Sequence, residues 1–592
     1  MKKLAYIAIA TSFVAAQNIN LDTIVVTATK SEQKIQNVTS NITVITKEEL
    51  QEKHITTVAD ALKDAPGLIV SQSGGLGAQT SIFLRGFDSD STLVLVNGVK
   101  VNNPTTIGGQ ADIANLILGD VERIEIIKGA QSGIYGANAA AGVINIITKK
   151  ATKEFEINSN LEYGTYNTKQ AQLSLSKKYG NLSAYLSYNY LKTDGFSAQA
   201  DIEKDVDSFE DDGYENKTFN ANISYKFTDN DKLELQYTNI DADVDYDKSL
   251  TEQDGYNMTE DDYILNTSFT HKYSDNSYSR VYYTKSKFLK KDPKGWTPRF
   301  EGNNQEYGID NKVTFEKLDV LFGLNRTKSK DIVNDRSLKS TGAYVTGNLK
   351  LNNTIFSATL RRDNYSEFKD KTTGKIGIKH IFENGLVISS NYGTAYRVPS
   401  LFEYSLNQNL KPESTKGFDI GFEYKNFYVT YFNNNIDDEI VYDTSLWNYN
   451  NSDKSSKIKG FEVGYKGVIT QDIMFNLNYT RYDGKDKDGK QLLRRPTYIA
   501  NASLDYYGFA NTHINFNAQY IGKRLDNDYS TFPATKVNTG NIFIANLALD
   551  YKINDKVSAY LKIDNITDKK YQNVYGYATS GRAFYVGINA KF

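Results

Sequence analysis

The chain has 592 residues, no Cys, 43 Tyr and a net charge of -2. That balance lacks the basic excess of a nucleic-acid binder, and a chain without Cys has neither a disulfide framework nor a thiol nucleophile. With no serine elbow and no phosphate loop, nothing marks it as an enzyme.

The chain opens with a basic pair, Lys2 and Lys3, an apolar run from Leu4 to Val14, and small residues at Val14-Ala15-Ala16. This is the pattern of an export signal over residues 1–16; the run is too short for a spanning helix. After a short segment at 17–30, residues 31–150 read as a small α/β domain. Thr46-Lys47-Glu48-Glu49 is a capping box that opens a helix. A second helix is expected from Thr57 to Lys63, ending before Ala65-Pro66-Gly67. Apolar strands are expected at Ser81–Leu84, Thr92–Val96, Val121–Ile127 and Gly142–Thr148, with glycine loops at Ser73–Gly77 and Ile107–Gln110.

Over residues 151–592 the texture changes to strict alternation. Leu182, Ala184, Leu186, Tyr188 and Tyr190 alternate with Ser183, Tyr185, Ser187 and Asn189, and the pattern recurs around Leu233, Phe475, Ile514 and Val557. Period two with one apolar face is a half-buried strand. Tight turns at Lys178–Asn181, Asp229–Asp231 and Glu383–Gly385 alternate with longer polar loops, as in an outer-membrane barrel. At roughly 20 residues per strand and connection the region supplies about 22 antiparallel strands, too wide to fill with side chains. The expected architecture is therefore a membrane all-β barrel with the N-terminal α/β domain as its plug. The end of the chain agrees: Phe584, Val586, Ile588, Ala590 and Phe592 share one greasy face. Composition alone also admits a soluble β-sandwich array or an adhesin.

Motifs narrow the choice. Asp22-Thr23-Ile24-Val25-Val26-Thr27-Ala28 resembles a TonB box. Ile82–Gly86, Val96–Val99, Val121–Glu125 with Lys128-Gly129, Tyr135–Ala137 and Gly142–Thr148 resemble the plug of TonB-dependent receptors. Tyr396–Ser400, Asn409–Glu413, Ile458–Glu462 and Asn565–Asp568 resemble their barrel. The resemblance spans the mature chain. It implies an exported monomer in the bacterial outer membrane, embedded in lipid and energised by TonB with its inner-membrane complex. The box, Leu492–Arg495, Asp528–Ser530 and Tyr571–Arg582 resemble the cobalamin receptors within that superfamily, which implies uptake of a corrinoid. A siderophore, haem or another metal chelate is the alternative cargo; a passive porin is the alternative of another class.

That resemblance also implies sites. Corrinoid contacts are expected from Gln72, Ser73, Leu76, Thr105, Thr106, Ile107 and Gln110 on the plug, with Arg494 and Tyr529 on the barrel wall. Nine carboxylates lie between Leu191 and Lys217, and nine more between Asp241 and Asp262. Asp241, Asp243, Asp245 and Asp247 would share a strand face if extended, where like charges repel. Calcium, which takes six to eight oxygens, relieves such crowding. By resemblance its ligands come from Asp205, Asp207, Glu210, Asp211, Asp212, Asp245 and Asp247, with Ser197 standing where the cobalamin receptors carry an Asp. None of the four His lies in the apical plug loops, which argues against haem while leaving a Tyr ligand open.

Overall fold

The computed structural model describes residues 24–25, 27–28, 30–199, 210–248, 255–295, 297–530 and 533–592. The expected signal peptide lies outside them.

Alternating side chains put polar groups inside and apolar groups outside, and the sheet closes on itself. The barrel has 22 antiparallel strands and closes where Phe155–Gly164 meets Ala583–Lys591, with Tyr163 opposite Val586. Along Leu182–Thr193, Tyr188 is exposed while Ser187 and Asn189 are buried. Phe584, Val586 and Ile588 lie exposed on the outer face, as their spacing requires. Closure leaves no unpaired sheet edge in lipid. Turns at one end are short, as at 180–181 and 352–353, where Gly180 and Asn352 take positive φ. The other end carries the longer connections, including 398–412 with its helix Leu401–Leu406, and two hairpins, Ile440–Asp443 with Asn448–Asn451 and Arg524–Asp528 with Thr535–Thr539.

The plug is built on a five-stranded sheet in the order Ile42–Thr46, Val121–Lys128, Gly142–Thr148, Thr92–Val96, Val99–Lys100. Thr92–Val96 and Gly142–Thr148 run parallel. Val94, Ile124, Ile126 and Ile144 are fully buried, together with Val58, Leu62, Leu68 and Leu84. Helices form at Lys47–Glu52 and Val58–Lys63, where Thr46 and Thr57 accept the amides of Glu49 and Asp60. The capping box at Thr46 is only half made, because the Glu49 carboxylate pairs instead with Lys466 of the barrel. The strands Val99–Lys100, Ile42–Thr46 and Leu68–Gln72 escaped the sequence reading. The last pairs with Thr80–Leu84 to form a hairpin whose tip reaches the long-loop end of the barrel.

Candidate functional site

The apex of the plug is made by the hairpin tip at 73–79 and the loop at 103–110. Gln72 Nε2 donates to the carbonyl of Gly75 at 2.6 Å, and the Ser73 amide donates to the carbonyl of Gln79, closing the tip. Gln72 and Ser73 remain half-exposed. In the second loop, Asn103 Oδ1 accepts both the amide and the hydroxyl of Thr105, at 3.0 and 2.8 Å. Gly108 and Gly109 both sit at φ +69, and a Cβ on Gly108 would meet Asp90 at 2.8 Å, so glycine is required there. This geometry turns Ile107 out at 60% exposure, with Thr106 and Gln110 half-exposed beside it. Neither loop carries an ionisable side chain. These two loops are neutral and rich in amides and hydroxyls.

Several expected contact residues do other work. Leu76 packs against the barrel wall with Ile117, Tyr214, Val244 and Met258. Thr105 is buried and spends its hydrogen bonds on Asn103. Arg494 pairs with Asp526 at 2.9 Å, within the barrel's own loops. Its neighbour Arg495 is the residue that reaches the plug: Nε donates to the Gly86 carbonyl at 2.9 Å, the guanidinium pairs with Asp88, and its plane covers the ring of Phe83. Tyr529 is 69% exposed on its hairpin and accepts a hydrogen bond from Asn527.

Two buried ion networks tie plug to barrel. Arg397 is held by Glu403 at 2.9 Å, Glu413 at 2.8 Å and Asp90 at 3.5 Å, and donates to the Gly108 carbonyl at 3.4 Å. It thereby links the helix-bearing loop 398–412 to the apical loop. Deeper down, Glu462 accepts from Arg85 Nε and Lys128 Nζ, each at 2.9 Å, with all three side chains buried. Burial pulls the Lys128 ammonium down to about 8 against the attraction of Glu462. The sequence reading met Arg397, Glu413 and Glu462 as motif residues; only the fold shows their partners.

The acidic run divides. Asp241, Asp243 and Asp245 alternate outward at the top of Asp231–Asp245, on the face that carries lipid-facing residues lower down. Asp247 turns inward, so the four carboxylates do not share a face. It meets Glu210 and Asp212, one oxygen of each lying within 4.8 Å of the others. Asp247 Oδ2 accepts from Ser197 Oγ at 3.0 Å and from the Gln199 amide at 2.6 Å, while its buried Oδ1 has no hydrogen-bond partner among the described residues. Burial, with Asp247 alongside, pushes the Asp212 carboxyl up to about 7. Asp211 and Asp245 line an adjoining groove. Asp205 and Asp207 lie outside the described residues.

At the short-turn end, Ile24–Val25 pairs antiparallel with Gln33–Lys34. Val25 and Ala28 pack with Val38 and Ile127. Glu125 Oε2 accepts both the amide and the hydroxyl of Thr27, at 2.8 and 2.6 Å, and Tyr135 donates to the Thr27 carbonyl at 2.8 Å. These residues of the expected box are stowed against the plug. Asp22, Thr23 and Val26 lie outside the described residues.

Comparison with known proteins accords with this geometry. Residues 156–566 match the family model described as TonB dependent receptor-like, beta-barrel, and residues 34–143 match the TonB-dependent receptor plug domain. Similar solved structures include the siderophore receptor PirA from Acinetobacter baumannii, at 19% identity and TM-score 0.80, covering 93% of this chain and 98% of that one. An enterobactin-bound variant of the ferric enterobactin receptor PfeA from Pseudomonas aeruginosa aligns at 18% and 0.78, covering 93% and 99%. The ferripyoverdine receptor of the Pseudomonas aeruginosa outer membrane, bound to ferripyoverdine, aligns at 15% and 0.79, covering 96% and 89%. A plugged, closed 22-stranded barrel with both family domains in order places this chain among the TonB-dependent receptors of the bacterial outer membrane.

Proposed function

We propose that this receptor captures a large, charge-neutral metal chelate of the corrinoid class and releases it inward when TonB pulls on residues 22–28. The observation that carries the reading is the neutral apex. Two loops without an ionisable side chain offer hydrogen-bonding groups, Gln72 and Ser73 at the hairpin tip and Thr106 and Gln110 beside the exposed Ile107. An amide-rimmed ligand with a broad apolar face needs this combination, whereas an anionic ferric catecholate calls for cations. Ferric siderophores are the second reading, supported by the ligands of the receptors that share this fold. The exposed Tyr442 and Trp447 of the outer hairpin would offer such a chelate an aromatic surface.

Calcium belongs to this proposal. Glu210, Asp212 and Asp247 would hold it, with Ser197 and water completing a shell of six or more oxygens. The unpartnered Asp247 oxygen and the crowding of three carboxylates fit a divalent cation. Bound there, the ion would neutralise the crowded acids and order the loops flanking the hairpin tip, whose Gly74 lies against Ala198. TonB would act on a released box, so ligand at the apex must favour a state in which Thr27 has left Glu125.

The test is binding of cyanocobalamin to detergent-solubilised receptor, in calcium and in chelator, beside ferric enterobactin. Tight cyanocobalamin binding that weakens on chelation, or on Asp247→Asn, is the expected result. Binding of ferric enterobactin alone would replace the corrinoid by a siderophore.

A further inference from the structure

Two of the four His residues meet in one place, at the short-turn end of the plug–barrel seam. Glu52 closes the plug helix Lys47–Glu52. Asp505 is the penultimate residue of the barrel strand Tyr498–Tyr506, and His513 the second of the next, Thr512–Ile521. A carboxylate oxygen of Glu52, one of Asp505 and a ring nitrogen of His513 lie within 4.8 Å of one another. We propose that Glu52, Asp505 and His513 form a transition-metal site that clips the plug to the barrel wall.

The donor set is one imidazole and two carboxylates. Imidazole with carboxylate suits zinc and its first-row neighbours, whereas magnesium and calcium prefer oxygen alone. His513 Nε2 and Asp505 Oδ1 stand 3.1 Å apart, close to the ~3.3 Å edge of a zinc tetrahedron with ligands at about 2.0 Å. Three protein ligands would leave the fourth position to water.

The surroundings hold these donors in place. Asn515 donates to Asp505 Oδ1 at 2.7 Å. The Tyr507 hydroxyl donates to Glu52 Oε1 at 3.0 Å, and the ring stacks on His513 at 4.7 Å. Behind His513, Nδ1 faces Asp550 Oδ2 at 3.6 Å, and that buried oxygen has no hydrogen-bond partner. A carboxylate behind the second ring nitrogen orients a metal-bound imidazole. The other Asp550 oxygen is anchored by His54 of the plug at 2.7 Å, and His54 stacks on Tyr560.

A clip here would act on the path to the box. Helix Lys47–Glu52 follows directly on Ile42–Thr46, which pairs with the strand that carries Glu125, the residue holding Thr27.

The experiment is equilibrium dialysis of detergent-solubilised receptor against zinc, with calcium in excess to occupy the acidic loops, followed by metal analysis. Folding of each variant is checked by heat-modifiable gel mobility. The wild type is expected to bind one zinc, with affinity at least about tenfold lower in Glu52→Gln and His513→Gln and lower by about 10–100-fold in Asp550→Asn. His271→Gln, remote from the site, should bind as the wild type does. Zinc-edge absorption of the wild type should show one imidazole and otherwise oxygen, a readout that needs no variant to fold. Absence of zinc binding, equal binding by Glu52→Gln and His513→Gln, or a shell with two or more imidazoles would overturn the assignment.

Discussion

Glu462 concentrates the plug–barrel contact into one buried carboxylate shared by Arg85 and Lys128. Removing one partner of a buried ion pair leaves charge without compensation and costs about 3–5 kcal/mol. Glu462→Gln should therefore lower the thermal transition of the plug and increase its susceptibility to protease; an unchanged transition would show that the network contributes little. Asp120 offers a pH test. Burial pushes its carboxyl up to about 6, and its Oδ2 lacks a hydrogen-bond partner. An acid raised in this way keeps its proton in the folded state after the unfolded chain has released it. Stability thus falls as pH climbs from about 4 to about 6 and stays at the lower level above. Asp120→Asn should stabilise the plug by about 1–3 kcal/mol at pH 7.5 and by almost nothing at pH 4, as read by calorimetry. At this scale the sequence was only partly legible. Arg494 and Arg495 are consecutive, yet the first serves a barrel loop and the second the plug, because adjacent residues leave a backbone in different directions. Thr105 and Leu76 lie in the expected apical loops, but Thr105 is turned in by its hydrogen bonds to Asn103 and Leu76 packs against the barrel wall.

Elements were far more legible than residues. The period-two pattern around Leu182 and Phe584 translates directly into which face meets lipid, since register in a sheet moves every side chain together. The first plug helix was marked by the capping box at Thr46, and the second, read from Thr57 to Lys63, forms at Val58–Lys63 with Thr57 as its cap. Leu68–Gln72 was missed because a five-residue strand with all but its last residue buried has no alternation to read. Asp247 escaped its strand's pattern because that strand ends at Asp245. The lipid face can be tested directly. Leu173 is exposed at mid-strand and Ser174 beside it points inward. Leu173→Arg should destabilise the barrel by about 2–4 kcal/mol and reduce the heat-modifiable folded fraction. Ser174→Ala should leave that fraction near the wild-type level.

The whole molecule is a closed wall around a folded stopper, with a neutral apex at one end and the stowed segment of Thr27 at the other. Its family follows from the order of motifs along the chain. Its cargo does not, because loops of one architecture receive unrelated ligands and the chemistry lies in side chains that carry no fixed code. Transport through such a molecule requires work on the plug, since the buried networks of Glu462 and Arg397 hold it in place. The most direct measurement compares accumulation and surface binding of radiolabelled cyanocobalamin in cells that carry either the wild type or a deletion of Asp22 to Ala28. The account predicts that the deletion binds as the wild type does and accumulates nothing beyond that bound fraction. Equal accumulation by both proteins, or no binding by either, would contradict it.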